Sequence, residues 1–161
     1  MKKNIRFVLL GELILFLAVF FLTLYFCNDD PVAMIPDFID LPSLLGILII
    51  SVPGLFITGE MKDFIKSFSV GIRHYGLLEL KNIINAVGAA QKLTIYGALF
   101  MIITENVLFM HVLSNVDAIG PNISVMLLTA FYAAIIEFFL LPLKLNAERK
   151  MNEEMDLDDA E

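Results

Sequence analysis

The sequence is short of the residues from which soluble active sites are built. It has one cysteine, Cys27, and two histidines, His74 and His111. A single thiol rules out an internal disulfide framework. Cys27 follows bulky Tyr25 and Phe26 where a lipoprotein cleavage site wants small residues, so it reads as a packing thiol. His74 lies beside Arg73 and Tyr75 with no second histidine or cysteine at ligand spacing, which leaves a metal site there without support. There is no glycine-rich phosphate loop, no Ser/His/Asp arrangement, no CxxC pair and no basic aromatic patch. Soluble catalysis, cofactor binding and nucleic-acid binding are therefore not expected, and no residue is singled out as catalytic.

What is abundant is apolar surface. Of 161 residues 58% are hydrophobic, 14 of them Phe, and the mean hydropathy is +0.80, far from a soluble domain. About 20 apolar helical residues cross the hydrocarbon core, and four stretches of that kind fall at 7–27, 41–58, 93–113 and 122–143. The expected class is an all-α integral membrane protein with four transmembrane helices. The N-terminal run imitates a signal peptide, but it is too long for an h-region and lacks a small-residue cleavage site, so it is expected to be a retained first span.

Positive charge is confined to one side. All 11 Lys and Arg residues lie before the first span, between the second and third, or after the fourth, and segments 28–40 and 114–121 have none. The positive-inside rule then places both termini in the cytoplasm. The opposite segments carry Asp29, Asp30, Asp37, Asp40 and Asp117, which are either ordinary solvated loop residues or a field that concentrates cations. Residues 59–92 are too polar to cross and show two runs of helical periodicity around Gly76, the first marked by Phe64, Ile65, Phe68 and Ile72. Two short amphipathic helices at the cytoplasmic surface fit that pattern. Residues 1–150 form the membrane domain and 151–161 an acidic tail; the stretch from Glu148 reads as a continuation of the fourth helix that ends in a run of acids, which repel one another and fray the end.

Any chemistry then rests on polar groups inside the spans. Insertion scales set a central acid at about +2.5 to +3.5 kcal/mol against roughly −0.3 to −0.6 for each Leu, Ile, Phe or Val. With 12 such residues the fourth span inserts despite Glu137. Glu12 and Glu137 lie near the cytoplasmic ends of their spans, whereas Glu105 is near the middle of the third. Gly97, Thr104 and His111 recur every seven residues and so share one helical azimuth, with Glu105 about 100° away, near enough to border the stripe or to face a neighbouring subunit. Such a stripe serves equally as interhelical glue or as a hydrated pathway.

Several segments resemble a known family. "FIDLPSLLGILIISVPGLFITGEMKDF", residues 38–64, has the aspartate, Pro-Ser pair and glycine-containing apolar run that lead into the second span of MotA-type stator proteins. "AIGPNISVMLLTAFYAAIIEFFLLPLK", residues 118–144, is similar to their fourth span, with Ile-Gly-Pro, then Leu-Leu-Thr-x-x-Tyr, then a proline near the cytoplasmic end. "GALFMII", residues 97–103, is similar to the third.

This resemblance to the MotA/TolQ/ExbB family implies the channel-forming subunit of an ion-motive-force-driven motor in the bacterial inner membrane. It implies a homopentamer around the single-span helices of a MotB/TolR/ExbD-like partner, which carries the ion-binding aspartate. By position it implies ion-pathway roles for Thr129 and Tyr132 in the fourth span and for Gly97 and Ala98 in the third. Sodium-driven members commonly place a threonine where Ala98 stands, and a methyl offers sodium no oxygen ligand, so protons are favoured. With Thr104, Glu105, Glu137 and His111 these residues complete the candidate set. The chain departs from the family in having only residues 59–92 where flagellar members insert a large rotor-gripping domain, in lacking a proline at the start of the third span, and in carrying Glu105 and Glu137. The alternative expectation is a non-conducting membrane scaffold that kept the fold.

Overall fold

The computed structural model describes residues 5–27, 32–111 and 113–158, with Arg6, Cys27 and Asp158 described for backbone alone. Lys2, Lys3, Asp29, Asp30 and the Cys27 thiol, used in the sequence reading, lie outside the described residues. Among the described residues the secondary structure is helical throughout: α1 (Ile5–Cys27), a 3-10 turn (Ile35–Phe38), α2 (Leu41–Ile57), α3 (Met61–Ser67), α4 (Leu77–Met110) and α5 (Val116–Asp158). Four of these segments are long and apolar enough to cross a membrane.

Local chemistry sets the helix boundaries. Pro42 stands in the first turn of α2, where its missing N–H is not needed by the helix. Gly59 closes α2 with φ of 78°, a left-handed conformation that costs glycine little, and Thr58 and Gly59 donate their amides back to Gly54 and Phe56. Gly76, extended at φ −70° and ψ 165°, precedes α4. The structure differs from the expectation of two short amphipathic helices before a separate span. Only α3 is separate, and the second periodic run continues into the span as one helix of 34 residues, about 51 Å long at 1.5 Å per residue. Nothing between Leu77 and Met110 breaks it, since a helix leaving the membrane keeps its backbone bonds and changes only its side chains.

The expected continuation of the fourth helix into the tail is present and runs further than the start of the acidic segment. α5 has 43 residues, about 64 Å, and remains helical through Asp158. Its extension is held by Met151, packed on the cluster of Val70, Tyr75, Leu80, Ile83 and Ala147, and by Lys150 and Arg149 pairing with Glu153. Lys66 fastens α3 through Asp63 at 2.8 Å and Glu79 of α4 at 3.6 Å. The Asp63 hydrogen bond is the first reason its ammonium is held above the ordinary lysine range.

The bundle therefore has two unlike ends. At the α3 end, Ile5, Leu55, Val87, Ala90, Leu140 and Leu143 bring α1, α2, α4 and α5 into one apolar core. At the hairpin end, where α1 leads to α2 and α4 to α5, few side chains are buried. Only 6% to 22% of the residues in the apolar windows of the four spans are buried inside the chain. Such faces tolerate hydrocarbon and not water, and their helices associate through close packing. Gly97 is one such contact: a Cβ there would meet the Ile47 carbonyl at 3.3 Å and Ile50 Cβ at 3.4 Å. α1 leans on α5 through aromatic rings, with Phe16 and Phe20 each 6.3 Å from Phe131 and Phe20 at 5.1 Å from Phe38.

Candidate functional site

A chain of polar groups joins α2, α4 and α5 near the hairpin end. Its centre is Glu105, five residues before the end of α4. Thr129 on α5, fully buried, approaches both carboxyl oxygens, with Oγ1 at 3.0 Å from Oε1 and 3.1 Å from Oε2. Ser43 on α2, also buried, places its Oγ 3.1 Å from the same Oε1. The Ser43 hydroxyl is in addition hydrogen-bonded to the Asp40 carboxylate one turn earlier. Tyr132, one turn beyond Thr129, closes the group: its hydroxyl donates to the Phe38 carbonyl at 2.7 Å and accepts from the Asp40 amide at 2.5 Å.

Each residue owes its place to local chain geometry. The spacing Asp40-Leu-Pro-Ser43 is that of an acid ahead of a helix whose first turn carries a hydroxyl, so the carboxylate and Ser43 meet without any tertiary contact. Thr129 and Tyr132 stand three apart on α5 and share a face. The azimuth of Glu105 on α4 turns it toward both partner helices.

Counting protons shows what the arrangement can do. Ser43 has one hydroxyl proton for two carboxyl acceptors, on Asp40 and Glu105. Thr129 has one proton for both Glu105 oxygens and the Val125 carbonyl at 3.1 Å. Two hydroxyl protons thus serve two carboxyl groups and a carbonyl. The Ser43 and Thr129 hydroxyls are therefore shared among more acceptors than two protons can satisfy, and the network ties three helices together. Among the described residues no group of three His, Cys, Asp or Glu side chains converges as a metal-ligand set.

The other candidates are dispersed. Gly97 and Ala98 are buried, Gly97 against α2. Thr104 and His111 point away from the bundle, bonded to the carbonyls of Phe100 at 2.8 Å and Val107 at 3.0 Å. The seven-residue stripe is therefore split between a packed end and an exposed end, and Glu105 faces its own subunit. Glu137 lies at the other end of the bundle beside Gln91. Glu12 and Glu137 each keep one buried carboxyl oxygen without a hydrogen-bond partner. Asp40 and Ser43 were missed as site residues in the sequence reading, although the acid-to-serine spacing at a helix start was visible there.

No family model, curated protein or solved structure matches this chain.

Proposed function

We propose that this chain is the channel-forming subunit of an ion-motive-force-driven membrane complex, handling protons in preference to sodium. The observation that carries this reading is the Glu105 carboxyl gripped by Ser43 and Thr129 beside Asp40, inside a bundle whose outer faces are apolar. A carboxyl in such a setting is costly, and intramembrane ionisable groups commonly mark ion routes. Ala98 leaves the third span without a hydroxyl at that position, which supports protons over sodium.

In this reading the chain assembles as a homopentamer in a bacterial cytoplasmic membrane with both termini inside, around an aspartate-bearing single-span partner. It converts proton flux into rotation or force and is not an enzyme. The grouping of Lys62, Lys66, Arg73, Lys81, Lys92, Lys144, Arg149 and Lys150 in α3, the α3–α4 connection and the same-end portions of α4 and α5 supports that orientation. Glu105→Gln keeps an oxygen acceptor for Thr129 but removes the exchangeable carboxyl proton. It is expected to abolish proton flux in reconstituted vesicles while insertion and assembly persist. Mass measurement of the purified complex tests the pentamer, which a stable monomer or dimer contradicts.

A second reading, a non-conducting scaffold, is favoured by one feature: Thr129 is wholly buried within its own chain. Unchanged flux in Glu105→Gln, with assembly intact, selects this alternative.

A further inference from the structure

A second carboxyl is placed very differently. At the α3 end a cavity of about 640 Å³ opens between the start of α3, α4 and α5. Its polar lining is Glu60, Asn85, Gln91 and Lys92 with Glu137 and Lys144 of α5. Glu137 and Lys144 are seven residues apart and so lie on one face of the helix. Gly88 floors part of the space, and a Cβ added there would meet nothing within 4 Å. The Glu137 Oε1 is shielded from bulk solvent yet accepts no hydrogen bond from the protein.

A buried carboxyl oxygen left without a donor costs free energy comparable to a lost hydrogen bond. The neighbouring cavity, many times the ~10–15 Å³ that one water requires, has room for water against the rest of the part-exposed Glu137 side chain, while Oε1 itself stays sealed from it. Glu105 lies outside this space. Its partner Thr129 stands eight residues from Glu137 on α5, about 12 Å along the axis, far beyond hydrogen-bond reach. The two carboxyls therefore belong to separate networks at opposite ends of the bundle.

We propose that Glu137 is a second proton-exchange site, facing a water-accessible vestibule at the α3 end while Glu105 faces the hairpin end. This deepens the proton-handling reading above and rests on it for its biological purpose. The step balances simply: the Glu137 carboxylate takes a proton from hydronium to give a neutral carboxyl and water, and returns it by the reverse transfer. The charged groups facing it across the cavity are Glu60, Lys92 and Lys144, with Gln91 the adjacent amide.

The test separates this claim from conduction. In full-length protein reconstituted in vesicles, with Cys27→Ala as background, Glu137→Cys and Gly88→Cys are exposed to a membrane-impermeant thiol reagent from either side. Both cysteines are expected to react from the α3 side only. Lack of reaction at both positions, while a Lys144→Cys control reacts, overturns the vestibule. Infrared spectra of the wild type and Glu137→Gln then identify the Glu137 carboxyl band as the one the variant loses. That band should grow as pH falls and shift in D2O. A missing band, or one unmoved by D2O, overturns proton exchange at Glu137 whether or not the chain conducts. If both tests succeed while the wild type passes no protons, the site stands and the channel reading fails.

Discussion

Glu105 and Glu137 occupy the same bundle and illustrate two ways a membrane protein can hold an acid. Glu105 is held by hydroxyls from two other helices, so its neighbours are fixed by the packing of α2 and α5 against α4. Glu137 keeps one sealed oxygen without a partner, while the rest of its side chain lines a cavity. The first arrangement makes the carboxyl part of the structure, so that loss of a hydroxyl partner there is felt as stability. The second leaves the carboxyl free to interact with whatever enters from the α3 end, and changes there should alter chemistry without altering the fold. That contrast can be broken by mutations at each end read in one assay, thermal unfolding in detergent micelles.

The largest loss is expected at the most enclosed group. Thr129→Val keeps the shape of the side chain but removes the donor shared by both Glu105 oxygens, leaving Ser43 as the remaining hydroxyl on that carboxyl. Hydrogen bonds to charged or buried acceptors are worth ~1.5–3 kcal/mol, so a loss of about 2 kcal/mol is expected. Thr129→Ser, which retains the hydroxyl, should recover most of it. A near-neutral Thr129→Val would mean that Glu105 finds another donor and that the two acids are not held differently.

Tyr132→Phe comes next. Its hydroxyl bridges the Phe38 carbonyl and the Asp40 amide and so ties the start of α2 to α5. A loss of ~1–2 kcal/mol is expected, because two partly buried backbone groups lose their partner. Hydrogen exchange at the Asp40 amide should quicken in the variant while amides near Leu143 keep their protection. Uniform loss of protection would show that the two ends of the bundle unfold as one unit.

How much of this was legible in the sequence depends on which physical signal each feature leaves. The first two spans were readable almost to the residue, because an apolar run flanked by Asp40 at one boundary and Thr58-Gly59 at the other marks where a helix begins and ends. The start of α4 was not, because the switch from water to lipid changes side chains and leaves the helical period of Leu80, Ile83, Val87 and Ala90 intact. The azimuths of Gly97, Thr104 and Glu105 on α4 were readable too. Which helix stands opposite each was not, since that depends on packing, and so Thr104 was grouped with Gly97 although it lies exposed. Asp40 and Ser43 were visible only as the approach to a span, because their bond to Glu105 joins residues 62 positions apart.

Two glycines of α4 carry the comparison into the backbone. Gly97 is pressed on α2, where a new methyl would lie 3.3 Å from the Ile47 carbonyl, and Gly97→Ala should cost about 1 kcal/mol by forcing the helices apart. Gly88 faces the vestibule with open space around it, so Gly88→Ala should stabilise α4 by ~0.5–1 kcal/mol through helix propensity alone. Opposite signs at two positions nine residues apart would confirm that α4 is pressed on α2 at Gly97 and open to the cavity at Gly88. The same sign at both would remove the vestibule's structural basis.

The smallest effect is expected at Glu137 itself. Glu137→Gln costs the protein no bond at Oε1, because none is made there. The change should therefore lie within ~0.5 kcal/mol, the range of substitutions that break no named interaction. Measured beside Thr129→Val, it asks whether polarity inside a span is always structural. A loss at Glu137→Gln as large as that at Thr129→Val would reveal a protein partner for the bare oxygen and place both acids in one class. A negligible loss accompanied by a changed carboxyl infrared signal would show that Glu137 exchanges protons at the α3 end without carrying the packing that Thr129 and Ser43 carry at the hairpin end. A bundle divided in this way can vary its exposed acid without endangering the contacts that hold α2, α4 and α5 together.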